Sequence, residues 1–363
     1  MELNVNTYLR RLVDENASDL HFKVGSPPIL RVNGQLVIVE GNRLSPAEVE
    51  QVAMSLLPES KRAFMEAGRE LDVAYSVPGL GRFRTNIYKQ RGSFAIAIRY
   101  IPSAAELTFE GLNLPSVLRD LADQPRGLIL VTGTTGSGKS TTLAAMIQHI
   151  NASRRGHIVT IEDPIEFLHR DNKSIISQRE LGEDTQSFET ALKFVVRQDP
   201  DVILVGEMRD VETVASVIQA ATTGHLVFST LHTTDTVQTI NRIVNFFPSH
   251  QHQQVRVDLS ACLRGIVGLR LLPRADGTGR VPAVEVMVST PTIRDLLLSE
   301  EKMDKLKEAI EQGSLHYGMQ TYDQALIRLY KDGFIHYEEA LNSATSPGDL
   351  ALKIRSEMPD RRK

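Results

Sequence analysis

Gly133, Thr134, Thr135, Gly136, Ser137, Gly138, Lys139 and Ser140 spell G-x-x-x-x-G-K-[ST] in full. Glycines at that spacing let backbone N–H groups turn inward around phosphate oxygens. A lysine next to them places a point charge on the β- and γ-phosphates. The serine hydroxyl is a hard oxygen ligand for Mg²⁺, directly or through water. The expected chemistry is binding of a nucleoside triphosphate on residues 133–140, with Thr141 in the first turn of the following helix.

Three further groups carry side chains that suit hydrolysis. Val202-Ile-Leu-Val205 is followed by Gly206 and Glu207, where a Walker B strand would usually end in Asp. A carboxylate at the end of a parallel strand faces the ligand crevice. Glu207 could there position or deprotonate the attacking water. Thr160-Ile-Glu162-Asp163-Pro164-Ile-Glu166 is an acidic box closing a second strand. It puts Glu162 or Asp163 near the metal and its waters, with Glu162 and Glu207 reaching Mg²⁺ through water. Thr223-Gly224-His225 and Thr230-Leu231-His232 bracket a third strand. Either histidine is a candidate hydrogen-bond donor to the γ-phosphate. His250 and His252 lie in a polar turn after Phe247-Pro248 and read as a solvated loop.

Elements must bring these groups together. The strand Leu128–Val131 precedes the glycine loop, and Leu143, Ala144 and Ile147 mark a helix after it. Short β-branched runs at 157–161, 202–205 and 226–230 alternate with helical patterns. Such runs, buried on both faces and separated by helices, indicate an α/β unit with a mainly parallel sheet. Residues 1–100 read differently, as a small α+β domain. Val5, Tyr8, Leu9, Leu12 and Val13 keep helical spacing, and Leu20, Phe22 and Val24 alternate as a half-buried strand. Asn33-Gly34 and Arg91-Gly92 read as hairpin turns, and Ser45-Pro46-Ala47-Glu48 as a capping box. The second hairpin sets Arg84 opposite Arg99. Like charges so opposed are unfavourable. Either the face is solvated and the register slipped, or the pair is an anion site. Residues 101–113 read as a linker, 114–363 as the ATPase domain with a C-terminal helical region, and 359–363 as a frayed tail.

Composition sets the outer limits. The 363 residues correspond to roughly two domains. One cysteine, Cys262, excludes an intramolecular disulfide and a cysteine-rich zinc site. No apolar run reaches the ~18 residues of a spanning helix, and the first eleven residues lack a signal-like apolar core, so a cytoplasmic protein is expected. Net charge of -4 argues against an electrostatic nucleic-acid binder, so a RecA-type translocase ranks behind other readings.

The glycine loop, the acidic box, Ile-Leu-Val-Gly-Glu-Met-Arg-Asp and the histidine box occur in the order found in the secretion ATPase superfamily. Ser18-Asp-Leu-His21, Gly81-Arg-Phe-Arg84 and Gly318-Met-Gln-Thr321 resemble its twitching-motility branch, the PilT-type retraction ATPases of type IV pili. The resemblance implies a PAS-like N-terminal domain before a RecA-like P-loop domain, assembled as a homohexamer. It implies ATP and Mg²⁺, with Lys139 and Ser140 serving them and Glu207 as the catalytic glutamate. Glu162, Asp163 and Glu166 match the Asp box, and His225 and His232 the His box. Arg84 and Arg99 match arginines that approach the nucleotide at an interface, and Arg280 another near the phosphates. The implied partners are an inner-membrane platform protein and a paralogous retraction ATPase, with no nucleic acid. The implied place is the cytoplasmic face of the inner membrane at the pilus base.

Assembly and type II secretion relatives usually carry a longer N-terminal region and a four-cysteine zinc element, which favours the retraction branch here. One departure leaves two sub-branches open. Where the retraction branch has Ala-Ile-Arg-Asn-Leu-Ile-Arg-Glu, this chain has Thr292-Ile-Arg-Asp-Leu-Leu-Leu298-Ser299. Residues 320–340 also resemble the accessory, PilU-like paralogue.

Overall fold

The computed structural model describes residues 4–66 and 70–358. The tail at 359–363 lies outside them. The chain divides into two compact units, Met1–Ser103 with Glu166–Leu168, and Ala104–Ile165 with His169–Lys363. The expected linker is not a free tether over its whole length. Phe109 is 4% exposed and shares a core with Leu118, Leu121 and Ile147 of the second unit.

In the first unit, helix α1 (Val5–Asp14) buries Val5, Leu9 and Leu12, one stripe at helical spacing. Asn4 caps it by accepting from the Asn6 N–H. Helix α2 (Pro46–Leu56) carries the expected capping box. The Ser45 hydroxyl accepts from Glu48 N–H, and the Glu48 carboxylate accepts from Ser45 N–H at 2.7 Å. A shorter helix, α3, spans Glu59–Glu66. The strands are β1 (Asp19–Lys23), β2 (Ile29–Val32), β3 (Gln35–Ile38), β4 (Leu71–Val77), β5 (Gly81–Gln90) and β6 (Ser93–Ile101). They form one antiparallel sheet in the order β3-β2-β1-β6-β5-β4. Edge strand β4, where Leu71, Val73, Tyr75 and Val77 alternate, was not foreseen.

Arg84 does stand opposite Arg99 in the β5–β6 ladder. The like charges are relieved within the unit. Arg84 lies 3.6 Å from Asp72 on β4, and Arg99 donates through Nε to Asp19 on β1 at 2.8 Å. Asp19 is also 3.8 Å from Arg31, so one largely buried carboxylate serves two guanidinium groups.

The second unit is built on β7 (Gly127–Thr132), β8 (His157–Glu162), β9 (Ile175–Glu180), β10 (Val202–Val205), β11 (Leu226–Leu231), β12 (Leu263–Pro273) and β13 (Arg280–Val288). Their order is β13-β12-β7-β11-β10-β8-β9. All neighbours from β12 to β9 run parallel, and β13 closes the edge antiparallel. Strand β7 shows why its centre is a continuous apolar run. Leu128 and Leu130 enter the core on one face, Ile129 and Val131 the core on the other. Burying a side chain of this size contributes about 1.5–3 kcal/mol.

Helices α4 (Val117–Ala122) and α5 (Lys139–Ser153) cover one face. The other carries α6 (Phe188–Val195), α7 (Val211–Thr222), α8 (Thr236–Val244), α9 (His252–Cys262), α10 (Pro291–Leu297) and α11 (Leu306–Gln312). After the short α12 (Ser314–Tyr317), helices α13 (Tyr322–Lys331), α14 (Tyr337–Ser343) and α15 (Pro347–Glu357) form a satellite core with Leu272, Val281 and Ala283 of β12 and β13. The glycines of β12 hid that strand from the sequence. At Gly265 a Cβ would stand 2.7 Å from Leu121, so α4 packs there only on a bare backbone.

Candidate nucleotide site

Parallel pairing brings the carboxyl ends of β7, β8, β10 and β11 to one edge, so the segments leaving these strands meet there. The loop after β7 runs from Gly133 to Gly138. Gly133 has φ +144°, and a Cβ on it would fall 2.4 Å from Ser137 Oγ and 2.5 Å from the Leu269 carbonyl. Gly138, with φ +96°, is the N-cap of α5, and no side chain caps that helix. Its first-turn N–H groups and the helix dipole are therefore directed at whatever the loop encloses.

A cavity of about 330 Å³ opens over this loop. It is lined by residues 133–137 with Thr234, Leu269, Arg270, Leu271 and Arg280, a volume in the range of small-ligand sites. Lys139 folds back and donates to the carbonyls of Gly133 and Thr134, at 2.8 and 3.1 Å. Arg280, at the start of β13, donates to the Gly136 carbonyl at 3.3 Å, so the expected arginine does reach the loop. Ser140 and Thr141 are half-buried in the first turn of α5.

Glu207 lies just past β10. Gly206 N–H donates to Ile161 O, and Met208 N–H donates to Thr230 O, which pins residues 206–208 between β8 and β11. Thr230 adds a hydroxyl bond to Gly206 O at 2.6 Å. His232, past the end of β11, lies with Nε2 3.2 Å from Glu207 Oε1. Arg209 donates through Nε to Glu207 Oε2 at 2.9 Å and lies 3.5 Å from Asp163. Glu162, the last residue of β8, accepts from the Thr160 hydroxyl at 2.7 Å and from Gln178 at 3.2 Å.

Glu162, Asp163, Glu207 and His232 are thus gathered on the edge that carries the glycine loop. Other expected members are elsewhere. His225 precedes β11 and stands beside Gly127, at the amino edge of the sheet. Six residues of strand, roughly 20 Å, separate it from His232. Its ring bonds Ala220 O at 3.0 Å. Its placement with His232 is corrected: a strand between two histidines sends them to opposite edges. Glu166 departs from the acidic box too. Residues 166–168 belong to the first unit, where Leu168 N–H donates to Pro102 O. Arg84 and Arg99 are likewise residues of the first unit. His252 is in α9 and bonds Phe247 O, so it is not part of a wholly solvated loop.

Sequence reasoning passed over Arg209, Thr234 and Arg270. For Arg209 the signal was present, since an arginine two residues beyond the glutamate on extended chain returns to the same side. Nothing local marks Thr234 or Arg270. Thr234 reaches the cavity rim because Glu285 on β13 accepts from both the N–H and the hydroxyl of Thr236. Burial pushes the Glu285 carboxyl above its usual range.

The residues fit a bound triphosphate. The loop leaves a cradle that side chains would fill, Lys139, Arg270 and Arg280 border it, and the buried Ser137 hydroxyl has no hydrogen-bond partner among the described residues. Among those residues no group of three or more His, Cys, Asp or Glu could hold a metal. A Mg²⁺ ion at this site would therefore rest on Ser140, phosphate oxygens and water, as that ion commonly does.

The fold and the site together define an ATPase of the P-loop class. Residues 82–321 match the family described as Type II/IV secretion system protein, and the chain belongs to that family. Type IV pilus ATPase PilU of Pseudomonas aeruginosa is 43% identical over 347 residues, which is 96% of this chain and 90% of that protein. The type IV pilus retraction ATPase PilT of the same organism is 42% identical over 345 residues, 95% of this chain and 99% of that one. A crystal structure of the pilus retraction motor PilT with bound ADP superposes with a TM-score of 0.87 at 44% identity. The match covers 97% of this chain and all of the other.

Proposed function

We propose that this chain is an ATP-hydrolysing motor that drives type IV pilus retraction, and with it twitching, as a homohexameric ring at the cytoplasmic face of the inner membrane. The observation that carries the reading is the likeness to retraction ATPases over nearly the whole chain, 99% of one of them included. The platform protein at the pilus base is the proposed partner, and a paralogous ATPase a second one.

In this reading the triphosphate lies in the 133–138 loop, and Lys139 leaves its two carbonyls for the β- and γ-phosphates. Ser140, with Glu162 and Glu207 through water, would hold Mg²⁺, which would supply charge neutralisation on the phosphates. Glu207 orients the attacking water and takes its proton as the bond to the β-phosphate breaks. His232 holds one oxygen of that carboxylate in place, and Arg280 adds positive charge beside the loop. Asp163 stands beside Glu162 in the acidic box, Glu166 is assigned no contact with the nucleotide, and Arg84 and Arg99 are proposed to approach the nucleotide at an interface. His225 is assigned no contact with the nucleotide. Residues 1–100 serve as the PAS-like part and 114–363 as the motor domain.

The test is a deletion strain scored for surface pili and twitching. Cells without the protein should build pili, carry more of them and fail to twitch, and the Lys139→Ala form should not restore movement. A strain with no pili would move the chain to the assembly branch. A second reading, as accessory motor, is favoured by half-buried Leu298 and Ser299 where the retraction branch carries Arg-Glu. Its loss would weaken retraction against load and leave some twitching.

A further inference from the structure

We infer that Arg209 is a positioning residue for hydrolysis, holding the Glu207 carboxylate and Asp163 as one unit across the ends of β10 and β8. The inference rests on the proposed role of Glu207 and extends it to a side chain outside the expected set.

The backbone leaves Arg209 little choice of place. Met208 is 2% exposed, and its N–H is bonded to Thr230 O. Asp210 on the other side is the N-cap of α7, accepting from Thr213 N–H at 2.7 Å. Between two fixed neighbours, the Arg209 side chain turns back onto Glu207. Its Nε donates to Glu207 Oε2 at 2.9 Å, and its terminal nitrogen lies 3.5 Å from Asp163 Oδ2. The guanidinium fork suits such two-point contact, which a lysine cannot reproduce.

The chemical need is specific. Glu162, Asp163 and Glu207 place three carboxylates at the ends of adjacent strands, where they repel one another and a nucleotide's phosphates alike. Glu162 is held by Thr160 and Gln178. Glu207 Oε1 faces His232. Arg209 engages the other oxygen and adds the positive charge between Glu207 and Asp163. With both oxygens engaged, the carboxylate keeps one orientation, and its remaining lone pairs are aimed rather than averaged. Preorganisation of this kind acts on the chemical step and not on ground-state binding.

The experiment measures kcat, KM and nucleotide affinity of the full chain for Arg209→Gln, Arg209→Lys and Glu207→Gln, with assembly state followed by light scattering. Arg209→Gln should lower kcat tenfold or more while KM and affinity stay within twofold and assembly is unchanged. Arg209→Lys should recover part of the loss. A kcat within twofold of the parent, a loss matched in affinity, or a loss that accompanies dissociation overturns the inference. Glu207→Gln separates the two claims. If it keeps turnover, the base is misassigned; if it abolishes turnover while Arg209→Gln does not, only the role of Arg209 fails.

Discussion

His232 Nε2 stands 3.2 Å from Glu207 Oε1, although 25 positions separate them in sequence. They meet because β10 and β11 are parallel neighbours, with Val205 level with Ser229. The glutamate lies past the end of the first strand and the histidine past the end of the second. An imidazole at that distance restrains the orientation of the carboxylate, and loss of such positioning can cost about a hundredfold in rate. His232→Gln should therefore lower turnover roughly ten- to a hundredfold with nucleotide affinity retained. His225→Gln should leave kcat within about twofold, since its ring bonds the Ala220 carbonyl at the other edge. Steady-state kinetics of the two variants decide this, and equal losses would show that both histidines reach the nucleotide.

Lys139 and Glu207 should separate binding from chemistry. Lys139→Ala removes a charge that now sits on the carbonyls of its own loop, and turnover should fall by about two orders of magnitude or more. Glu207→Gln keeps size and hydrogen bonding, so nucleotide should bind normally and turn over poorly. A fluorescent nucleotide titration beside a phosphate-release assay reads both. Loss of binding in Glu207→Gln would make that residue structural.

Arg84 offers a clean test of the first unit's part in catalysis. Its partner Asp72 is exposed, and such pairs are worth at most about 1 kcal/mol. Arg84→Ala should leave the fold intact. If this arginine completes the site, the variant should lose turnover while binding nucleotide normally. Arg99 is less suitable because its loss disturbs the Asp19 cluster. Unchanged turnover in Arg84→Ala would remove the hairpin from the mechanism.

His169 predicts an acid sensitivity. Burial holds its imidazole down at about 4, against an ordinary value of 6.5. Between those values the unfolded chain takes up a proton that the folded chain refuses, so stability falls as pH drops through that window. The full loss is about 3 kcal/mol, complete near pH 4. Chemical denaturation at pH 7, 5.5 and 4 should show the decline, and His169→Gln should flatten it. An identical slope in the variant would assign the sensitivity to other groups.

Local chemistry and periodicity determined much of this protein without its tertiary structure. The glycine loop was legible because phosphate binding uses consecutive backbone groups, all encoded in eight adjacent residues. The parallel sheet was legible because β7, β8, β10 and β11 are buried on both faces along their centres, which makes their sequences mostly apolar and β-branched. Hairpin turns at Asn33-Gly34 and Arg91-Gly92 were legible because both positions take positive φ, at 49° and 79°, and 51° and 79°.

Only the tertiary structure decided which of the flagged side chains meet. A strand has two ends, and sequence proximity does not say which end faces the ligand. His225 and His232 therefore read as one box and lie at opposite edges. Glu166 reads with Glu162 and belongs to the other unit. Strand β12 escaped notice because the glycines that let Leu121 of α4 and Tyr322 of α13 approach it also erase its strand pattern. Arg209, Thr234 and Arg270 owe their places to β-sheet order and to one buried carboxylate, Glu285, which is 49 residues away from the Thr236 it holds.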